Sequence, residues 1–145
     1  MRQVTVIVVA LAAMAVPATA GVVQGRFEIE GGCYIRKYDP AHLRSHPNQM
    51  VTQISLETSS TQFVRNGLVL DLEFTLRQGT RYTALAYCSW NDTCSIEGDG
   101  GSFMLKGEGQ QIRLTVGDFL VVEGDTDFSP NLADSDDRVF LLNQC

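Results

Sequence analysis

Apolar and polar side chains alternate along most of this chain. From Leu68 to Leu76, leucine or phenylalanine occupies every second position, and polar or charged residues stand between most of them. This period of two is typical of a β-strand that buries one face. Similar alternation predicts further strands in segments 27–29, 50–56, 82–88, 93–97, 103–105, 112–116, 119–123 and 138–142.

Glycine-rich and aspartate-rich segments separate these strands, because glycine adopts the positive φ angles of tight turns and aspartate tolerates them. The expected turns are Gln78-Gly79, Gly98 to Gly101, Gly107 to Gly109 and Gly117-Asp118. Short strands with such turns predict an all-β domain, an antiparallel sandwich or small barrel of about eight to ten strands. One short helix is expected near residues 40–46, since Asp39 suits a helix cap and Pro40 the first helical position.

The first twenty residues are typical of an export signal. Arg2 supplies a positive start, an apolar run covers residues 4–16, and Ala18-Thr19-Ala20 offers small residues for cleavage. The run is shorter than the roughly 20 residues of a membrane-spanning helix, and the mature chain contains no transmembrane segment. We therefore expect a cleaved signal at 1–20, one domain at 21–145, and a periplasmic or secreted location; an uncleaved anchor is the alternative.

Charge is distributed unevenly along the chain. The 145 residues are 44% hydrophobic and carry a formal net charge of -6, which excludes disorder and argues against nucleic acid as a partner. Residues 21–91 carry six acids and seven bases, whereas residues 92–145 carry eleven acids and three bases. A concentration of one sign of charge favours a basic protein or a cation as the partner of the acidic second half.

Four cysteines remain after signal removal, and an even number in an exported chain predicts two disulfides. Sequence alone permits three pairings. We favour Cys88–Cys94, which closes a short hairpin loop, and Cys33–Cys145, which joins the last residue to an early strand. A zinc site is not favoured, because no Cys-x-x-Cys pair occurs and no cysteine stands at ligand spacing from a histidine.

The candidate binding residues are one exposed aromatic residue and the acids of a long irregular segment, namely Trp90, Asp125, Asp127, Asp134 and Asp136. Trp90 lies between two cysteines, where it either contacts a partner or folds back onto a sheet edge. The carboxylates of segment 125–137 are hard oxygen ligands of the kind that calcium prefers, although Pro130 stands where an EF-hand loop requires glycine. No cofactor is predicted, and calcium is the alternative to a solvated acidic loop.

Patterns for enzyme chemistry are lacking. Both histidines, His42 and His46, fall in the short helix, and every cysteine is assigned to a disulfide, so no nucleophile has an evident base. We predict no catalytic residue and no metal site. The predicted function is an exported, disulfide-stabilised binding or interaction protein of unidentified ligand; the alternatives are a small hydrolytic or carbohydrate-active enzyme with paired carboxylates, and a structural cell-envelope protein.

Three segments carry a resemblance to other proteins. Segments 33–43, 97–103 and 135–141 resemble small exported bacterial β proteins. The resemblance spans most of the mature chain and implies an exported β protein. It brings no function with it, so no active residue is transferred from that group.

Overall fold

Eight antiparallel strands form one closed barrel in the computed structural model, which describes Phe27, residues 32–61 and residues 67–145. The strands are β1 (Cys33–Lys37), β2 (Val51–Thr58), β3 (Leu68–Leu76), β4 (Arg81–Cys88), β5 (Thr93–Ile96), β6 (Gly101–Glu108), β7 (Gln111–Leu120) and β8 (Val139–Gln144). Helix α1 (Pro40–Ser45) and two 3₁₀ turns, Glu97–Asp99 and Leu132–Asp134, complete the elements. Each strand pairs with its neighbours in sequence, and β1 pairs with β8. The all-β prediction is confirmed as a barrel, while the predicted export signal lies outside the described residues.

The barrel interior is filled by the apolar positions of the alternating pattern. In β3, Leu70, Leu72 and Phe74 are almost completely buried, whereas Asp71 is exposed on the outer face. Tyr34 of β1 is also fully buried, and its ring meets that of Phe27 with centroids 5.2 Å apart. Each such apolar side chain stabilises the fold by roughly 1.5–3 kcal/mol relative to exposure. The alternation of apolar and polar residues therefore gives each strand one face toward the core and one toward the surface.

Helix α1 begins where the sequence predicts. The Asp39 carboxylate accepts a hydrogen bond of 2.9 Å from the His42 N–H, and this bond holds the pKa of Asp39 below its usual range. The Arg77 guanidinium donates to the carbonyls of Leu43 and His46, at 2.7 and 2.6 Å. The helix is thus anchored to the turn that follows β3.

The predicted turn at Gly117-Asp118 is wrong, because both residues lie inside β7. The register between β6 and β7 shifts beside them, which marks a β-bulge. A Cβ atom at position 117 would lie 2.7 Å from the Ser102 Oγ and 3.0 Å from the Ser102 carbonyl oxygen, so the close approach of β6 favours glycine there. The separate strand predicted for 119–123 is therefore also wrong: β7 continues to Leu120, and residues 121–124 follow it outside any strand.

Both disulfides lie at the same end of the barrel, which we call the disulfide end. Cys33–Cys145 joins the start of β1 to the residue after β8, and Cys88–Cys94 joins directly opposed positions of β4 and β5. These are the pairings favoured from the sequence, and they fit an oxidising compartment. The opposite end, where β7 finishes and α1 lies, is called the loop end. No helix in the described part of the chain is long and apolar enough to span a membrane.

Three strand boundaries are paired over only two or three residues. Two register pairs join β1 to β8, three join β4 to β5 and three join β5 to β6, against eight between β3 and β4. We call the first two of these boundaries the β1–β8 seam and the β4–β5 seam. Because each is paired only near the disulfide end, each opens toward the loop end. The openings of these two seams contain the candidate sites.

Candidate functional site

The opening of the β4–β5 seam arises because β5 is short. Pairing between the two strands ends at Ala86 and Ile96, and the next residues turn back toward β6. This 3₁₀ turn contains two positive φ angles, 65° at Gly98 and 59° at Asp99, which the glycine and aspartate tolerate. The first half of β4, residues 81–85, therefore has no strand on its β5 side.

The segment that follows β7 forms the opposite wall of this opening. The Val121 N–H donates to the Gly100 carbonyl at 2.9 Å, and the Gly124 N–H donates to the Asp127 carbonyl at 2.8 Å. A Cβ atom at Gly124 would lie 2.8 Å from the Tyr82 ring, so this segment lies directly against the barrel wall. The result is a groove of about 660 Å³ between β4 and residues 121–128.

The groove is lined by acids and aromatic rings. Four carboxylates border it, and Phe119 and Phe128 expose 45% and 67% of their surface. The carboxylates are those of Glu97, Asp99, Glu123 and Asp125. No lysine or arginine of the described residues lines it. We call this site the acidic groove.

A second hollow lies beside the acidic groove, on the outer face of β1 to β4. It has a volume of about 620 Å³ and shares Thr83, Ala84 and Glu97 with the groove. Register places Glu57 directly opposite Asp71, and Glu73 follows two residues later on β3. Glu73 forms an ion pair with Arg81, whose Nε lies 3.6 Å from the Glu73 Oε1. The two concavities together form a continuous acidic surface that draws on both halves of the sequence.

The structure separates the residues that the sequence nominates as binding candidates. Asp125 lines the acidic groove, and the side chain of the nearby Asp127 is exposed. Asp134 and Asp136 line a different hollow of about 540 Å³. Trp90 is 67% exposed in the loop between β4 and β5, at the disulfide end, so it does not fold back onto the sheet. Because β7 finishes at the loop end, Trp90 and Asp125 lie at opposite ends of the barrel.

The carboxylates of segment 125–137 do not converge on one point. Asp137 is 1% exposed and accepts hydrogen bonds from the N–H groups of Met50 and Val51 and from the Ser135 hydroxyl. In contrast, Asp125 faces the acidic groove. No group of three or more histidine, cysteine, aspartate or glutamate residues in the described chain is arranged to hold a metal ion.

The opening of the β1–β8 seam has a different chemistry. It is a hollow of about 330 Å³ whose lining includes Arg36, Arg113, His42 and His46. The Arg36 guanidinium lies 4.9 Å from the centroid of the Tyr38 ring, an arrangement typical of a cation–π contact. Burial raises the pKa of the Tyr38 hydroxyl, and the charge of Arg36 partly opposes that rise.

The chain itself fills much of this second opening. The rings of Tyr38, His42 and His46 form a stack with centroid separations of 4.6 and 4.1 Å. The His42 Nε2 lies 3.0 Å from the Gln49 Oε1, and Arg113 is held by Glu108 in two hydrogen bonds of 2.6 and 2.9 Å. Most polar groups here therefore already have partners within the protein, although the buried Arg36 Nε has no hydrogen-bond partner among the described residues.

Sequence reasoning missed most of the acidic groove. Glu97, Asp99 and Glu123 were not nominated, and neither were Phe119 and Phe128. A usable signal existed for Phe128, because it follows aspartate in an irregular segment, where an apolar ring has no core to enter. Phe119 lies within β7 and had no such signal. Comparison with protein-family models, curated protein sequences and solved structures finds no match. Function is therefore inferred from the groove itself.

Proposed function

We propose that this protein is an exported binding protein that recognises a basic partner protein through the acidic groove. The observation that carries the proposal is the lining of the groove, which combines four carboxylates and two exposed phenylalanine rings and contains no cationic side chain of the described residues. An oxidising location, which the two disulfides fit, would place such a partner outside the cytoplasm.

The electrostatic part of the proposal follows from the crowding of like charges. Glu97, Asp99, Glu123 and Asp125 share one concavity, and the neighbouring hollow adds Glu57 and further acids. A concave surface with one sign of charge attracts oppositely charged partners and accelerates their association. A lysine-rich or arginine-rich surface would supply the opposite charge that the lining of the groove lacks among the described residues.

The two phenylalanine rings supply the apolar part of the interface. Phe119 and Phe128 are among the most exposed large apolar side chains of the described residues. Aromatic side chains often dominate binding energy when a partner buries them, and their faces also attract lysine and arginine. A small cation alone would leave both rings in water, so the combination favours a protein partner.

The proposal is tested with a fluorescein-labelled oligolysine peptide and a matched pair of double variants. Glu123→Gln/Asp125→Asn removes two charges from the groove, and Asp134→Asn/Asp136→Asn removes two charges from the same irregular segment outside it. Fluorescence anisotropy at about 20 mM salt gives the dissociation constants, because low salt preserves surface electrostatics. We expect the groove variant to bind about five-fold more weakly and the control variant to bind within about two-fold of the parent.

Two results would contradict the proposal. Equal weakening by both double variants would mean that net charge alone attracts the peptide. Absence of binding by the parent protein at low salt would leave the groove without a basic partner. A Phe128→Ala variant adds a further test, since loss of the ring should weaken binding of a folded basic protein more than binding of oligolysine.

One pair of acids bears on the alternative that this protein is an enzyme with paired carboxylates. Glu57 and Asp71 are opposed across β2 and β3, so their Cβ atoms lie roughly 5 Å apart. Both side chains are exposed on the outer face of the barrel, whereas a carboxyl group that acts as an acid is usually held in an apolar, enclosed site. We therefore base the proposal on binding. A structural cell-envelope protein, the remaining alternative, would bind neither oligolysine nor a basic protein in the test above.

A further inference from the structure

The edge of β4 is open where it borders the acidic groove. The Leu85 N–H points away from β3, because it donates to the Glu97 Oε1 at 2.9 Å. Backbone groups alternate in direction along an antiparallel strand, so the Thr83 N–H and carbonyl point to the same side. Neither backbone group of Thr83 has a partner among the described residues. The groove therefore contains an unpaired strand edge, the feature that accepts an added β-strand.

Glu97 occupies the place of a strand partner at one end of this edge. Its carboxylate accepts the Leu85 N–H, which the carbonyl of a longer β5 would otherwise accept. An incoming backbone carbonyl could take over this hydrogen bond and free the Glu97 carboxylate to meet a cation. The existing contact thus satisfies the Leu85 N–H and leaves the rest of the strand edge uncovered.

The groove suits a strand whose two faces differ. Its floor is apolar, since Ala84, Ile96 and Val122 are all buried, while its rim carries carboxylates. Side chains alternate between faces in an extended segment, so alternate residues would meet the floor and the rim. Apolar residues fit the floor, and lysine or arginine fits the rim beside Glu123 and Asp125.

We infer that the acidic groove binds an extended segment of a basic protein as an added β-strand along residues 81–85 of β4. This inference rests on the proposed function, and it specifies the form in which the partner is recognised. The segment takes the position that a longer β5 would fill. Five residues of open edge correspond to a bound length of roughly 16 Å, at about 3.3 Å per residue.

A basic segment is favoured over a second copy of this chain. Pairing of two copies through this edge would bring two sets of groove carboxylates together, and like charges oppose such contact. Charged side chains beside an open edge are also a common protection against edge-to-edge association. The same charges that prevent self-pairing attract a strand rich in lysine or arginine.

The test uses a short peptide of alternating lysine and valine and two isomers of it. One isomer carries N-methyl groups on the lysines, the other on the valines. For a given direction of the added strand, only one set of N–H groups faces β4 when valine faces the floor, so one isomer should bind about ten-fold more weakly. The other should bind nearly as tightly as the parent peptide.

Two variants of the protein test the hydrogen bonds that β4 would make with the added strand. Thr83→Pro removes the N–H that faces the groove and spares the pairing with β3, a position where an edge strand accommodates proline. Thr83→Val keeps the N–H and serves as the control, and circular dichroism checks that both variants fold. We expect Thr83→Pro alone to weaken binding of the alternating peptide several-fold. The Thr83 amide should also become protected from hydrogen exchange when the parent protein binds the peptide.

The outcomes separate this inference from the proposed function. If both methylated isomers bind like the parent peptide, or if only oligolysine binds, strand addition is overturned while the groove remains a binding site. If neither peptide binds, both proposals fail. A dimer of the free protein that Thr83→Pro abolishes would assign the edge to a second copy, which also overturns the inference.

Discussion

The two seams of the barrel have the same design and different chemistry. Each is paired over two or three residues, each is joined by a disulfide at the same end, and each opens toward the loop end. The polar lining of the β1–β8 opening mixes arginine, histidine and tyrosine with two aspartates, whereas the β4–β5 opening has carboxylates and phenylalanine and no arginine or lysine of the described residues. Backbone geometry alone therefore does not determine which opening is a binding site.

What separates the seams is whether the chain covers its own opening. At the β1–β8 seam, α1 covers the opening, and Asp137 is held by three hydrogen bonds. At the β4–β5 seam, four carboxylates and one strand edge face the groove, with Glu97 bonded to Leu85. Uncovered carboxylates next to exposed rings are typical of a surface that binds a partner. The first seam is closed by the protein, and the second is left open.

Loss of the β1–β8 disulfide should have the largest effect on stability. In a Cys33→Ser/Cys145→Ser variant, the unfolded chain regains the freedom of a loop with a sequence separation of 112 residues. We expect the free energy of unfolding to fall by about 4–5 kcal/mol, as the loop-entropy description gives for such a span. Urea unfolding of the parent protein and the variant measures this loss. A loss smaller than that caused by removing the other disulfide would show that this seam does not depend on its covalent bond.

Asp137 should matter more than any carboxylate of the acidic groove. Asp137→Ala leaves the N–H groups of Met50 and Val51 buried without an acceptor, so we expect a loss of about 3 kcal/mol in unfolding free energy. Asp125→Ala removes an exposed carboxylate and should change stability by no more than about 0.5 kcal/mol. Thermal unfolding of both variants makes the comparison. Equal losses would remove the distinction between a structural and a functional acid.

Loss of the β4–β5 disulfide should cost less than loss of the first. Cys88→Ser/Cys94→Ser frees a loop with a sequence separation of only six residues, for which we expect about 2 kcal/mol. Oligolysine binding should survive this change, because the groove lies toward the opposite end of β4. Anisotropy and urea unfolding of the same sample test both statements. Loss of binding without loss of structure would mean that the Cys88–Cys94 disulfide shapes the groove.

Acid should loosen α1, the helix that covers the β1–β8 seam. The pKa of Asp39 is lowered by its hydrogen bond from the His42 N–H, so its contribution to stability is present above the unfolded pKa and is lost as pH falls through the lowered one. Asp39→Asn keeps a helix cap without the titration and is the control. Amide exchange in α1 should rise at acid pH in the parent protein more than in the variant. An equal rise in both proteins would mean that the faster exchange at acid pH does not arise from Asp39.

The strands could be predicted because period two is a local property. The alternation from Leu68 to Leu76 matches β3 residue for residue, and Pro40 correctly marks the start of α1. Gly117 was misinterpreted because a glycine next to aspartate predicts a turn, whereas here it permits β6 to approach β7. A close contact between two paired strands, here between Ser102 and Gly117, has no local signal in the sequence.

The site was harder to predict because it depends on how the barrel closes. Counting charge by halves favoured segment 125–137, yet Asp137 is an internal hydrogen-bond acceptor and Asp134 lies outside the groove. Conversely, Glu57 and Asp71 come from the nearly neutral half and lie beside the groove. Only the neighbour relations of the strands bring these acids together with Glu97.

The positions of the two disulfides also impose an order on the closing of the chain during synthesis. Cys88 meets Cys94 after six further residues, so this bond can form while later strands are still being made. Cys33 can form its correct disulfide only after Cys145 has been added, and by then all eight strands have been synthesised. Until then β1 lacks β8, and Cys33 can meet two incorrect thiols first. Correct maturation therefore favours early closure of the Cys88–Cys94 hairpin, which removes both competitors before the barrel is sealed.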